Sequence, residues 1–132
     1  MSHFSPISIN DLTEHEAALI DKVAQVSYYG ETTREVLVSL AHGEATLWRL
    51  PGGLIATQVI PHAGGNELWI RFLVGRGFLA QAELIREELL LAARKFGCVR
   101  LSGYTSRPGL ARLYEKILGV SPTAILFSQK VK

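Results

Sequence analysis

One helical pattern constrains this chain more than any other feature. Phe78, Ala82, Ile85, Leu89, Ala92 and Phe96 are spaced 4-3-4-3-4, which puts all six on one face of a helix. Glu83, Glu87 and Glu88 come early and Arg94 and Lys95 late, the order that complements the helix dipole. Gly97 follows as a natural C-terminal stop. An apolar run lies on each side, Leu68–Val74 before and Val99–Tyr104 after, and both read as strands. A strand, a long helix and another strand in one sheet connect by a right-handed crossover, so the two strands are predicted to be parallel. Gly75 and Gly77 interrupt the chain after the first strand, and the pair is predicted to diverge at Gly75–Gly77.

The remaining segments fill in around this unit. Phe4 to Ile9 alternates Ile7 and Ile9 with serines and is expected to be a short edge strand. Thr13 with Glu16 has capping-box spacing, and Ala17, Ile20, Val23 and Ala24 follow at helical intervals. That helix is predicted to run to about Tyr28, with Gly30 past its end. Thr32 and Glu35 repeat the box before Val36, Leu37 and Leu40, and Gly43 stops the helix. Ala45–Leu50, Leu54–Ile60 and Leu68–Val74 read as three strands joined through Pro51-Gly52-Gly53 and His62-Ala63-Gly64-Gly65-Asn66, which suggests an antiparallel meander. After Tyr104, Ser106-Arg107-Pro108-Gly109 opens a helix to about Leu118, stopped by Gly119, and Ala124–Val131 reads as a closing strand. The order is β-α-α-β-β-β-α-β-α-β, an α/β (α+β) sheet with helices on both faces.

Composition narrows the class. The 132 residues have room for one domain, 1–132, and at 48% hydrophobic and 20% charged they exclude a disordered chain, a coiled coil and a collagen-like fibre. No apolar run approaches the roughly 20 residues that span a bilayer, so no membrane partner is expected. The single cysteine, Cys98, excludes an internal disulfide framework, and Met1–Pro6 lacks the order of a signal peptide. A cytoplasmic location is expected. The net charge of +2 hides an asymmetry. Residues 1–66 carry three basic against seven acidic side chains, a net −4, and residues 67–132 carry eleven against five, a net +6. A basic half suits an anionic ligand or a phosphate-bearing cofactor. Arg71, Arg76, Arg100, Arg107 and Arg112 lack the interleaved stacking aromatics of a nucleic-acid surface, so nucleic acid is not an expected partner.

Common catalytic signatures are missing. The chain has no His-Glu-x-x-His, Cys-x-x-Cys, Gly-x-Ser-x-Gly or Walker phosphate loop. His3, His15, His42 and His62 are scattered without ligand spacing, so no metal site is expected. Cys98 follows a helix stop and reads as a small packing residue rather than a nucleophile. Trp48, Trp69 and Phe72 lie in strands, where core packing explains them.

Three stretches carry a resemblance: Asp11–Ala24; Leu68–Val74 with the helix to Cys98; and Ala111-Arg112-Leu113-Tyr114-Glu115-Lys116-Ile117-Leu118-Gly119-Val120. With the element order, they resemble the GNAT superfamily of acyl-CoA N-acyltransferases over most of the chain. More narrowly, Gly97-Cys98, a strand and then Arg107-Pro108-Gly109-Leu110 are similar to small GNAT-like proteins of tailed phages and prophages. The resemblance implies a mixed, mostly antiparallel sheet with one parallel splayed strand pair. It implies acetyl-CoA or CoA as cofactor, its pyrophosphate held at the N-terminus of the long helix.

The superfamily's phosphate pattern is Gln or Arg, two residues, Gly, one residue, then Gly or Ala. It falls on Gly77-Phe78-Leu79-Ala80-Gln81-Ala82, so Ala80 and Ala82 hold the small positions and the leading Gln or Arg is absent, with Arg76 one place away. On this resemblance Val74, Arg76, Gly77, Phe78, Ala80, Gln81, Ala82 and Arg107 are the cofactor-binding residues. Pro108 stands where many members have an Asn. Tyr114 matches the general acid, because a phenol can protonate a leaving thiolate. Glu67, at the start of the strand before the loop, is the candidate general base. The implied partner is a small-molecule or protein amine, with a homodimer or a phage protein as further candidates. The alternative is a catalytically degenerate phage or prophage GNAT-like protein acting as an interaction module, in the host cytoplasm. Fold alone does not separate the two, because function lies in the site.

Overall fold

The computed structural model describes residues 4–26, 30–43, 45–103 and 108–119. Its elements are β1 (Ser5–Pro6), α1 (Glu14–Gln25), α2 (Thr33–Ala41), β2 (Thr46–Leu50), β3 (Gly53–Ile60), β4 (Asn66–Gly75), α3 (Ala82–Lys95), β5 (Cys98–Gly103) and α4 (Pro108–Leu118). The expected contacts of Arg107 and the closing strand Ala124–Val131 lie outside the described residues.

The five strands form one sheet in the order β1-β2-β3-β4-β5. β1, β2, β3 and β4 pair antiparallel, as the short turns between the last three require. β4 and β5, joined through α3, pair parallel. The edge strand is shorter than the Phe4–Ile9 reading. Ser8 accepts a hydrogen bond from the Asn10 amide and starts a 3-10 turn over Ile9–Asp11, which ends the extended backbone.

One core lies on each face of the sheet. On one face Ile55, Leu68, Ile70 and Leu73 meet Ile85 and Leu89 of α3 and Tyr114 and Ile117 of α4. On the other, Leu47, Leu54, Ala56 and Phe72 meet Leu19 and Ile20 of α1 and Val36 and Leu40 of α2. The helices therefore flank the sheet on both sides, as the patterning indicates.

The long helix starts later than its stripe implies. Gly77 adopts a φ of 76°, and the Gln81 amide bonds back to the Phe78 carbonyl. Phe78–Gln81 is therefore a turn, and α3 begins at Ala82. Phe78 stays buried from that turn. At the other end Phe96 is the C-terminal cap of α3, 36% exposed, with its ring centroid 6.5 Å from that of Trp48.

β4 carries an irregularity that sets the rest of the molecule. Ala56 faces Phe72 and Thr57 faces Ile70, so Arg71 is an extra residue with no partner on β3. Such a bulge bends its strand and breaks the alternation of faces. Leu68 and Ile70 point to the α3/α4 core before it, and Phe72 joins the α1/α2 core after it.

Candidate active site

The parallel pairing can be followed as far as the bulge. β4 and β5 pair from Asn66↔Cys98 to Ile70↔Gly103, the last pair among the described residues. β4 continues to Gly75 against β3. The sequence places the divergence at Gly75–Gly77. The residues of the second strand that would lie beside Arg71–Gly75 fall outside the described residues. The described pair reaches Ile70 and Gly103, next to the bulge.

Tyr114 of α4 packs against β5 beside Ile70 and Gly103. It is 5% exposed. A Cβ on Gly103 would stand 3.1 Å from both Cδ2 and Cε2 of the ring, so the ring comes this close because residue 103 has no side chain. Burial pushes the Tyr114 phenol above the ordinary tyrosine range, and the group keeps its proton at neutral pH.

Glu67 lies on the opposite face. It alternates with Leu68 along β4, and Ser102 Oγ of β5 donates to its Oε2 at 2.7 Å. His62 Nε2 stands 3.4 Å from Oε1. The Ser102 hydrogen bond, joined by the contact with His62, outweighs burial and holds the Glu67 carboxyl below its usual value. The side chain of bulged Arg71 also turns to this face, where it pairs with Glu31 at 3.4 Å. Neither Ser102 nor Arg71 was legible as a site residue. The available signal for Arg71 was a cation inside Leu68–Val74 followed by two adjacent apolar residues, Phe72 and Leu73, a lapse in strict alternation.

The loop between β4 and α3 holds the expected cofactor residues. Val74 is half-buried and pairs with Leu54. The Arg76 amide donates to the Gly52 carbonyl at 2.9 Å, and its side chain is exposed. Phe78 is a core residue and Ala82 is 2% exposed, so neither offers a side chain to a ligand. Gly77 and Ala80 are exposed. The Gln81 and Ala82 amides bond to Phe78 and Leu79 carbonyls. Donors that remain for a ligand are the N–H groups of residues 77–80 and, in the first turn of α3, of Glu83 and Leu84. Gln81 is the N-cap of α3, yet its side chain makes no capping bond. It turns to the β2–β3 hairpin, where Nε2 donates to the Pro51 carbonyl at 3.0 Å and lies 3.4 Å from the Gly77 carbonyl. Cys98 is half-buried and burial pushes its thiol up, which fits a packing residue.

No family model matches the chain. No curated protein sequence matches it. Solved structures do. A ribosomal-protein-alanine N-acetyltransferase from Brucella melitensis biovar Abortus 2308 superposes with a TM-score of 0.67 at 20% identity, covering 98% of this chain and 96% of that one. A probable acetyltransferase gives 0.61 at 16%, covering 96% and 99%. An aminoglycoside antibiotic 6'-N-acetyltransferase from Acinetobacter haemolyticus gives 0.57 at 13%, covering 98% and 99%. The fold is GNAT-like. In this fold the parallel pair, Tyr114 and the uncapped end of α3 come from the central strand–helix–strand unit and the helix that follows it. Among the described residues no helix is long and apolar enough to cross a membrane.

Proposed function

We propose that the chain is an N-acetyltransferase that moves an acetyl group from acetyl-CoA to an amine. The observation that carries this is the arrangement around the parallel pair of β4 and β5. A buried, protonated Tyr114 lies against Gly103 on one face and a Glu67 carboxylate held by Ser102 lies on the other.

The loop residues fit a CoA pyrophosphate. An uncapped helix N-terminus and the free amides of residues 77–80 favour an anion, and the exposed Arg76 adds charge. Arg107 supplies further charge in the same proposal. Acetyl-CoA supplies a thioester, whose leaving group is a thiolate. Tyr114 holds a proton at its hydroxyl oxygen on the α3/α4 face and delivers it to that thiolate. In this proposal β4 splays from the continuation of β5, and the backbone N–H groups of β4 so released are donors for an oxyanion. Glu67 lies three residues before Ile70 on the other face, about 10 Å along the strand, and takes a proton from the incoming amine through water. Acid and base thus work from opposite sides of the sheet.

The experiment is thiol release from acetyl-CoA with a panel of amines, for wild type and Tyr114→Phe together. Removing the hydroxyl is expected to lower kcat by about 10²–10⁴-fold with little change in cofactor affinity. Equal rates would retire Tyr114 as the acid. No turnover and no rise in melting temperature with acetyl-CoA would replace this proposal with the interaction-module alternative. A ligand at a hundred times its Kd stabilises by about 2.7 kcal/mol.

A further inference from the structure

The anion loop leans on a part of the chain remote in sequence. The tip of the β2–β3 hairpin and the end of β4 approach backbone to backbone. A Cβ on Gly53 would collide with the Val74 carbonyl, and a Cβ on Gly75 with the Gly52 carbonyl. The ring of Phe78 lies beneath both, its Cζ 2.8 Å from either Cβ position. The Arg76 amide bonds the Gly52 carbonyl. Gln81 adds a side-chain bond between hairpin tip and loop, from Nε2 to the Pro51 carbonyl, with the Gly77 carbonyl close by. A Gln at an N-cap gives up its chance to cap α3 in making this bond.

We infer that Gln81 is a positioning residue: its side-chain amide braces the 76–80 loop against the β2–β3 hairpin and does not ligate phosphate. The inference deepens the acetyl-CoA reading and rests on it for its effect on affinity. Two amide hydrogens between two carbonyls hold the loop backbone in place before any ligand arrives. The rigid glycine junction beneath leaves the loop one adjustable anchor, and Gln81 is that anchor. Pre-organisation of this kind acts on affinity by lowering the ordering cost of binding.

The test uses the whole protein with two substitutions. Gln81→Met keeps the length of the side chain and removes both donors. Gln81→Glu sets a carboxylate against two carbonyls. In the ligand-free protein, exchange of the hydrogen-bonded amides of Arg76, Gln81 and Ala82 is expected to quicken roughly three- to tenfold in Gln81→Met, the loss of one ordinary hydrogen bond. CoA affinity by calorimetry is expected to fall by the same factor in Gln81→Met and further in Gln81→Glu. The kcat at saturating acetyl-CoA is expected to stay within about twofold of wild type, because the brace does not touch the reacting atoms. Unchanged exchange in the ligand-free Gln81→Met protein overturns the inference, whatever happens to affinity, since a phosphate ligand has no effect without phosphate. Wild-type affinity in Gln81→Met overturns it as well. If wild type itself binds no CoA, the acetyl-CoA reading fails, and the exchange measurement still decides whether Gln81 is a brace.

Discussion

Two helices of this chain begin closed and one begins open. At α1, Glu16 N donates to Thr13 Oγ1 at 3.1 Å and Thr13 N to Glu16 Oε1 at 3.0 Å. At α2, Thr32 and Glu35 make the same two bonds, both 3.1 Å. At α3, Gln81 stands at the cap with no capping bond. A good cap is worth about 1 kcal/mol, so α3 forgoes stability that its neighbours take. The difference also falls in a particular place. The closed ends lie on the α1/α2 face, while the open end follows β4, whose parallel partner β5 carries Gly103 against Tyr114. Of these three starts two carry the same box and the third omits it, beside the only parallel strand pair among the described residues, and its donors stay open.

The contrast can be broken at the open end first. Ala80→Asp puts a carboxylate among the loop donors at an exposed site. CoA affinity is expected to fall about a hundredfold, as two like charges some 5 Å apart in a partly wet site imply, with the melting temperature nearly unchanged. Calorimetric titration and a thermal melt read the two quantities, and unchanged affinity would move the phosphate elsewhere.

Acid tests the closed end at α1. Arg49 Nε and Nη2 grip Glu16 at 2.7 and 2.6 Å. That hydrogen bonding, ahead of the opposing effect of burial and helped by Thr13, lowers the Glu16 carboxyl from 4.5 to about 2. A depressed carboxylate contributes stability that is complete above pH 4.5 and is lost as pH falls toward 2. Arg49 is 41% exposed, so the loss is on the order of 2 kcal/mol after solvent screening. Denaturant melts at pH 5 and pH 2.5 should show this loss in wild type and much less of it in Glu16→Gln. Amide protection at the start of α3, where no such pair exists among the described residues, should not follow that window.

Cap deletions make the smallest changes. Thr13→Ala is expected to cost about 1–2 kcal/mol, because the box it breaks also orients the buried Glu16. Thr32→Ala, at an exposed box, should cost about 0.5–1 kcal/mol. Equal costs would show that Arg49 holds Glu16 without help from Thr13.

Local signals made the closed ends legible. A Thr followed three residues later by a Glu names its own partners, and both boxes formed where the spacing put them. The parallel crossover was legible for a similar reason, because a long one-sided helix between two apolar runs has few ways to pack. What escaped the sequence depends on residues distant along the chain. Glu67 is held by Ser102, 35 positions later. Gln81 faces Pro51, 30 positions earlier, and a polar side chain at a cap carries no sign that it will turn from its own helix. The start of α3 at Ala82 rather than Phe78 has the same origin, since a buried ring in a turn and a buried ring on a helix leave one apolar letter in the same place.

Arg71 has a consequence for how such a chain can change its length. Before it the inward positions of β4 on the α3/α4 side are Leu68 and Ile70, and after it the phase shifts so that Leu73 serves that side and Phe72 the other. Two cores are therefore threaded on one strand with a one-residue offset between them. Deleting Arg71 would restore regular alternation with both apolar sets in place, whereas deleting any other single residue from 67 to 73 would reverse part of the strand and expose one apolar set. The turn at His62–Gly65, exposed at its tip with open space around Gly64, has no such arithmetic. Across diverging copies of this sequence, gaps belong in that turn and not on either side of Arg71, where the parity of the residue count keeps both cores filled.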